Sequence, residues 1–167
     1  MTPIRALSCA LAAFLLASPA PADDRASYAV RGKHFDARDV PTYRIKADGS
    51  ADWYTVEGFR AYHSGCHACH GPRGGGSPNG SSLTDAVLEG PYFDFVDSTV
   101  NGFVARKDGV SRVMPAFGTI PEVMCRLDAI YVYLRAEAAG ILSTTDPIRS
   151  SDASGAPEQD LATCLGQ

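Results

Sequence analysis

Two cysteines three residues apart, with a histidine directly after the second, constrain this chain more than any other feature. The stretch "HSGCHACHG" over residues 63–71 places Cys66, Cys69 and His70 within about one and a half turns of helix. A zinc site would need well-separated ligand pairs in tetrahedral array, but His63, His67 and His70 crowd the same turn and no second pair follows. A thioredoxin-like redox pair belongs in a βαβ context, which the sequence does not offer. A plain disulfide between Cys66 and Cys69 leaves His70 without a role. Cys-x-x-Cys-His is, in contrast, the attachment pattern of c-type haem. Its two sulfurs add to the two vinyl groups on one porphyrin edge, and the next residue presents its imidazole to the iron. The pattern therefore predicts one covalent haem c on Cys66 and Cys69, with His70 as an iron ligand.

Covalent attachment suits an exported protein, and the N-terminus reads as export. "MTPIRALSCALAAFLLASPAPADD" has one positive charge, Arg5, then an apolar run from about Ala6 to Ala17 and an A-x-A site at Ala20-Pro21-Ala22. This is the pattern of a secretory signal peptide over 1–22. The run is too short to cross a bilayer, and no later segment is longer or more apolar, so the expected product is soluble, in the periplasm, with no membrane insertion. Arg5 is the only charge in that segment, so its removal takes the net charge from −4 to −5. No basic patch for nucleic acid is present; the short "RGK" run reads as a solvated loop. Cys9 leaves with the signal. The four remaining cysteines then include Cys125 and Cys164, most simply one disulfide in an oxidising compartment.

The remaining 145 residues suffice for one domain with a core. Residues 23–54 read as an extended, polar segment, with a possible hairpin turning at Asp48-Gly49. A helix is predicted from Thr55, as N-cap, into the CHACH stretch, with Gly58, Tyr62 and Cys66 on one face. "GPRGGGSPNGSS" at 71–82 is loop. Short helices follow at 83–88 and 92–101, the second with Phe93, Val96 and Val100 on one face and Gly102 at its end. "FVARKDGVSRVMPAFG" reads as loop. A last long helix begins at the capping-box spacing Thr119-Ile120-Pro121-Glu122 and runs to about Ala139, with Val123, Leu127, Ile130 and Leu134 inward. From Leu142 the tail is small and polar, a mobile segment tethered at Cys164. Short helices joined by long loops make a thin core, and a flat apolar haem would fill it. The predicted class is all-α, with domain boundaries at 1–22, 23–54, 55–141 and 142–167.

The sixth iron position decides function. The mature chain has two methionines. Met114 lies in a loop before Pro115 and near Phe117, and is the first candidate. Met124, inside the last helix, reads as core packing. His34 is the one distant histidine, while His63 and His67 lie beside the attachment turn and read as exposed. A methionine ligand predicts an electron carrier; a dissociable one predicts a haem enzyme or a gas- or peroxide-binding protein.

The segments "GFRAYHSGCHACHG", "VMPAFG" and "LDAIYVYLRA" resemble the three signature segments of class I c-type cytochromes. The resemblance covers about residues 55–140. In it, Gly58, Tyr62, Cys66, Cys69 and His70 match the attachment helix. Met114-Pro115 matches the ligand loop, and Ile130, Tyr133 and Leu134 match the closing helix. "VMPAFGTIPEVMCRLDAIYVYLRA" is similar to the four-cysteine cytochromes of methanol metabolism, acceptors of PQQ-dependent alcohol dehydrogenases. The resemblance implies the class I cytochrome c fold with one haem. It also implies a monomeric, non-enzymatic carrier of single electrons, cofactor-bound through Cys66, Cys69, His70 and Met114. The implied donor is a quinoprotein alcohol dehydrogenase, and the implied acceptor a downstream cytochrome or terminal oxidase. One position departs: where the family carries a proline whose carbonyl orients the proximal histidine, this chain has Ser81. That leaves Ser81 itself, Pro78 or Pro72 as the source of the carbonyl.

Overall fold

The computed structural model describes residues 26–107, 109–142, 148–151 and 156–167. The expected export signal at 1–22 lies outside the described residues. The chain begins with three short strands, β1 (Tyr28–Val30), β2 (Lys33–Phe35) and β3 (Pro41–Thr42), paired antiparallel in that order. Helices α1 (Trp53–Gly65) and α2 (His67–His70) carry the attachment turn. After the glycine-rich loop come α3 (Leu83–Glu89) and α4 (Tyr92–Asn101), then a hairpin of β4 (Phe103–Lys107) and β5 (Val110–Met114). The chain closes with α5 (Pro121–Met124), α6 (Leu127–Ala138) and α7 (Ala156–Cys164).

The core is the crossing of α1 over α6. Tyr62, Val132, Tyr133 and Leu134 are fully buried there, with Leu127 and Ile130 nearly so. Gly58 is what lets the two helices meet. A Cβ at that position would lie 1.9 Å from the Ala129 carbonyl oxygen and 2.8 Å from Tyr133 Cβ. Tyr62 and Tyr133 pack ring to ring one turn further on, at 5.4 Å. The glycine and the aromatic therefore act as a pair: one allows the close approach, the other fills the space beside it.

The fold is not strictly all-α. Residues 103–114, expected as loop, form the β4–β5 hairpin, with Phe103 opposite Met114 and Val104 opposite Val113. The sequence signal for it is the pair of short runs with β-branched Val104, Val110 and Val113 on either side of an Asp108-Gly109 turn dipeptide. The N-terminal segment also carries sheet. The turn at Asp48-Gly49 closes only a single bridge, Ile45 to Ala51, and Ala51 is shared with Ser150 in a parallel bridge. Competition for the Ala51 backbone by residues 149–151, which bond it on both sides, limits the expected hairpin to that bridge.

Three helix boundaries also differ. Helix α1 starts at Trp53 because Asp52, not Thr55, is the N-cap; its carboxylate accepts from the Thr55 amide (3.1 Å) and hydroxyl (2.6 Å) and from the Arg44 amide (2.7 Å). The last helix is broken between Met124 and Leu127. There Arg126 leaves helical geometry (φ −113, ψ 7), and its guanidinium reaches Glu57 on α1 (2.7 Å). The C-terminal tail is helical rather than plain coil. The Cys125–Cys164 disulfide is formed, the Asp160 carboxylate pairs with Arg31 at 2.6 Å, and Trp53 Nε1 donates to Glu158. These contacts clamp α7 and the N-terminal strands across the same end of the helix crossing.

Candidate haem-attachment site

The attachment turn is a break in a helix. Helix α1 ends at Gly65, and Cys66 is both its C-cap and the start of α2. The amides of Cys69 and His70 both bond back to the Cys66 carbonyl, at 3.2 and 3.0 Å. The backbone thus holds both cysteines and His70 in one tight turn. Cys66 and Cys69 are free thiols, one half-buried and one exposed. Burial pushes the Cys66 thiol up to about 11, with the neighbouring Cys69 adding to it, so it is protonated at neutral pH. A redox-exchange nucleophile needs the thiolate, and this environment works against that role at Cys66. Among the described residues no group of three or more His, Cys, Asp or Glu side chains is placed to hold a metal ion.

The His70 ring is buried, and its Nδ1 lies 2.8 Å from the carbonyl oxygen of Ser81. Of the three candidate carbonyls, the structure selects Ser81. The contact requires Nδ1 to carry the proton and leaves Nε2 as the lone-pair nitrogen, the arrangement that makes a histidine a good metal ligand. The loop is shaped to deliver that oxygen. Gly71, Gly74 and Gly76 all take positive φ. Gly80 passes so close that a Cβ would sit 2.6 Å from the Cys69 carbonyl oxygen and 3.0 Å from His70 Nδ1. Ser77 Oγ donates to the Cys69 carbonyl, and Tyr62 OH donates to that of Gly71. Burial raises the Tyr62 hydroxyl to about 12, so it remains a donor at any physiological pH.

Met114 ends β5, half-buried, opposite Phe103. One contact ties its strand to the loop after the attachment turn, and a second set ties the next turn to α4. Arg112 Nε donates to the Pro78 carbonyl at 3.0 Å. The turn after Met114 is pinned to the end of α4 by bonds from the Phe117 and Gly118 amides to the Thr99 and Val100 carbonyls. Gly102, at φ +74, makes room for the Met114 carbonyl. The other candidates lie elsewhere: His34 is in β2, paired with Ala29 and Thr42, and Met124 lines a cleft of about 420 Å³ beside Cys125 and Cys164. His67 is exposed as expected. His63 is half-buried, its Nδ1 2.8 Å from the Phe59 carbonyl and its ring stacked on that of His67.

Ser81 was named in the sequence only as one of three possibilities, and Arg112, Gly80 and Gly102 were missed. Arg112 and Gly80 sit in stretches read as loop, and Gly102 reads in the sequence only as the end of a helix. The valine-flanked Asp108-Gly109 dipeptide that signals the hairpin could have placed Arg112 on a strand; nothing comparable marks Gly80.

A chain with this helix crossing, this thiol–imidazole turn and a methionine strand-end beside it has the build of a haem-attachment protein. Comparison with known proteins gives the family. The chain is 41% identical over 123 residues to cytochrome c-553I of Paracoccus denitrificans, covering 74% of this chain and 54% of that protein. It therefore spans about half the length of this curated relative. It matches the crystal structure of the c-type cytochrome XoxG from Methylobacterium extorquens AM1 with a TM-score of 0.74 at 38% identity, covering 84% of this chain and 86% of that one. No model of a protein family matches the chain. The chain belongs to the c-type cytochromes, and its cofactor is haem c. The residues present fit that group: two unpaired thiols on one turn, an imidazole whose Nδ1 is engaged by the Ser81 carbonyl so that Nε2 is left for a metal, and a thioether on a strand tied to the same loop.

Proposed function

We propose that this chain is an exported monohaem electron carrier. Its signal at 1–22 directs it to the periplasm. There it takes single electrons from a PQQ-dependent alcohol dehydrogenase and passes them to a downstream cytochrome or terminal oxidase. No helix among the described residues is long and apolar enough to cross a membrane. In this reading Cys66 and Cys69 would hold the haem through their sulfurs, and His70 Nε2 and Met114 Sδ would ligate its iron. The bound haem supplies a one-electron iron couple, whose potential a Met/His pair raises.

The observation that carries the reading is the His70 Nδ1 to Ser81 carbonyl contact. It fixes the tautomer and aim of the ring, so the imidazole need not reorient when the charge at the site changes. The surrounding groups are equally static. Burial raises the hydroxyls of both Tyr62 and Tyr133, so neither hydroxyl titrates near neutrality as a general base must.

Visible spectra of the purified holoprotein, oxidised and reduced, with and without carbon monoxide, test this. A methionine-to-iron band in the oxidised form and no response to carbon monoxide are expected. Rapid carbon monoxide binding would overturn the Met114 assignment in favour of a gas- or peroxide-binding protein. Reduction by purified quinoprotein alcohol dehydrogenases plus their alcohols tests the donor, and no reduction by any of them would remove it.

A further inference from the structure

We infer that His63 and His67 form a surface site for one exchangeable divalent transition-metal ion of the imidazole-seeking class, zinc or nickel, held across the break between α1 and α2. The site uses side chains that the haem and the partners proposed above do not require, so it stands apart from both.

Two histidines four residues apart lie one above the other on a helix. Cys66 interrupts the helix between them but stays in the right-handed helical region (φ −100, ψ −33), so the one-turn spacing survives the break. His63 is the fixed half of the pair. Its ring is walled by Phe59 at 4.2 Å, Tyr62 at 5.3 Å and Tyr133 at 6.0 Å between centroids. Its Nδ1 lies 2.8 Å from the Phe59 carbonyl oxygen, which requires the proton on Nδ1 and leaves the Nε2 lone pair for a metal. His67 is the adjustable half. It is exposed, with its ring centroid 5.2 Å from that of His63 and the two planes 25° apart. Two imidazoles that share one ion at a nitrogen-to-metal distance of about 2.0–2.1 Å place their centroids roughly 4.5–5.2 Å apart, for bond angles of about 90–110° at the metal. The observed separation is already at the end of that range. A turn of the exposed His67 ring about its own side-chain bonds then brings a nitrogen onto the ion that His63 holds.

The donors select the ion. Neutral imidazole suits zinc, nickel and copper, whereas magnesium and calcium take oxygen ligands. Among the described residues no third His, Cys, Asp or Glu side chain joins the pair. Water therefore completes the coordination, and the ion exchanges, unlike one in the closed four-ligand site of a structural zinc. The pair does not compete with the haem for a ligand, because His70 is buried with its Nδ1 on Ser81. Only the folded turn sets the two rings one above the other, so a bound ion stabilises the attachment turn by mass action.

The test is calorimetric titration of the oxidised holoprotein, at fixed pH, with zinc(II) and nickel(II), and with magnesium(II) as the oxygen-seeking control. One zinc or nickel ion should bind per chain and magnesium should not. At a hundredfold excess of zinc over its Kd the melting temperature should rise by about 5 °C. His67→Gln removes one ligand at an exposed position. It should weaken zinc and nickel binding by about tenfold or more and abolish the melting shift, with the visible spectrum and the metal-free melting temperature unchanged. His63→Gln should weaken binding by a similar factor, and His34→Gln should leave it alone. No zinc binding by the wild type, binding that His67→Gln leaves undiminished, or binding that His34→Gln removes would each overturn the inference. One ion per two chains, with dimers that form only when metal is added, would place the two histidines on different molecules and overturn it too.

Discussion

Alanine at position 58 sets local helix propensity against the tertiary crossing, and the two effects have opposite signs. In an isolated helix, glycine to alanine gains about 1 kcal/mol. Here the new methyl group would lie 1.9 Å from the Ala129 carbonyl oxygen and 2.5 Å from its carbon, both backbone atoms of α6. Backbone cannot swing aside as a side chain does, so α1 and α6 must part by about 1 Å at their closest point, a gap that forfeits up to about half of the local dispersion attraction. Overpacking of this kind costs about 3 kcal/mol. The net expectation is a loss of about 2 kcal/mol, a fall in melting temperature of about 6 °C for a domain of this size. The assay is thermal unfolding of the holoprotein followed by far-ultraviolet circular dichroism. Gly65→Ala is the control: it lies on the same helix, and nothing comes within 4 Å of an added Cβ. It should melt at or slightly above the wild-type temperature. A Gly58→Ala variant as stable as Gly65→Ala would show that the crossing does not depend on this contact.

Removing the disulfide with Cys125→Ser and Cys164→Ser opens a closure of 39 residues, worth about 4 kcal/mol in the loop-entropy description; calorimetry should show a lower melting temperature with an intact haem spectrum. Gly80→Ala presses on the Cys69 carbonyl and the His70 ring, lengthening the bond to Ser81. With less electron donation from the imidazole, the midpoint potential by redox titration should rise while the haem stays attached. Asp36 tests pH dependence. Burial alone would raise its carboxyl, but the Arg38 and Val40 amides and the Arg135 guanidinium outweigh it and hold the group below its usual value. A depressed carboxylate stabilises above its unfolded pKa and loses that contribution as pH falls through the folded one. Chemical denaturation should therefore show the advantage of wild type over Asp36→Asn shrinking below about pH 4; an advantage constant down to pH 2 would refute it.

The attachment chemistry was legible in five residues because the spacing of Cys66, Cys69 and His70 is itself the geometry: a single turn leaves little freedom in where two thiols and an imidazole point. The crossing of α1 and α6 was legible through the resemblance, which matched Gly58 and Tyr62 to the attachment helix and Ile130, Tyr133 and Leu134 to the closing one. The disulfide was legible by elimination, because export and the attachment motif left only two cysteines. What the sequence could not decide are the choices made between competing partners. Asp52 displaces Thr55 as N-cap because its carboxylate can accept from both Thr55 donors and from Arg44, a residue eight positions away that only the folded chain brings near. Arg126 breaks the last helix because Glu57 lies across the core to receive it. Ser81, rather than Pro72 or Pro78, turns its carbonyl to His70 because three glycines at positive φ and the close passage of Gly80 set the path of the loop. The chemistry is local, and short spacing is enough to specify it. The choice of N-cap, the break in the last helix and the path of the loop to Ser81 turn on partners that spacing alone does not bring together, and only the packed tertiary structure specifies those.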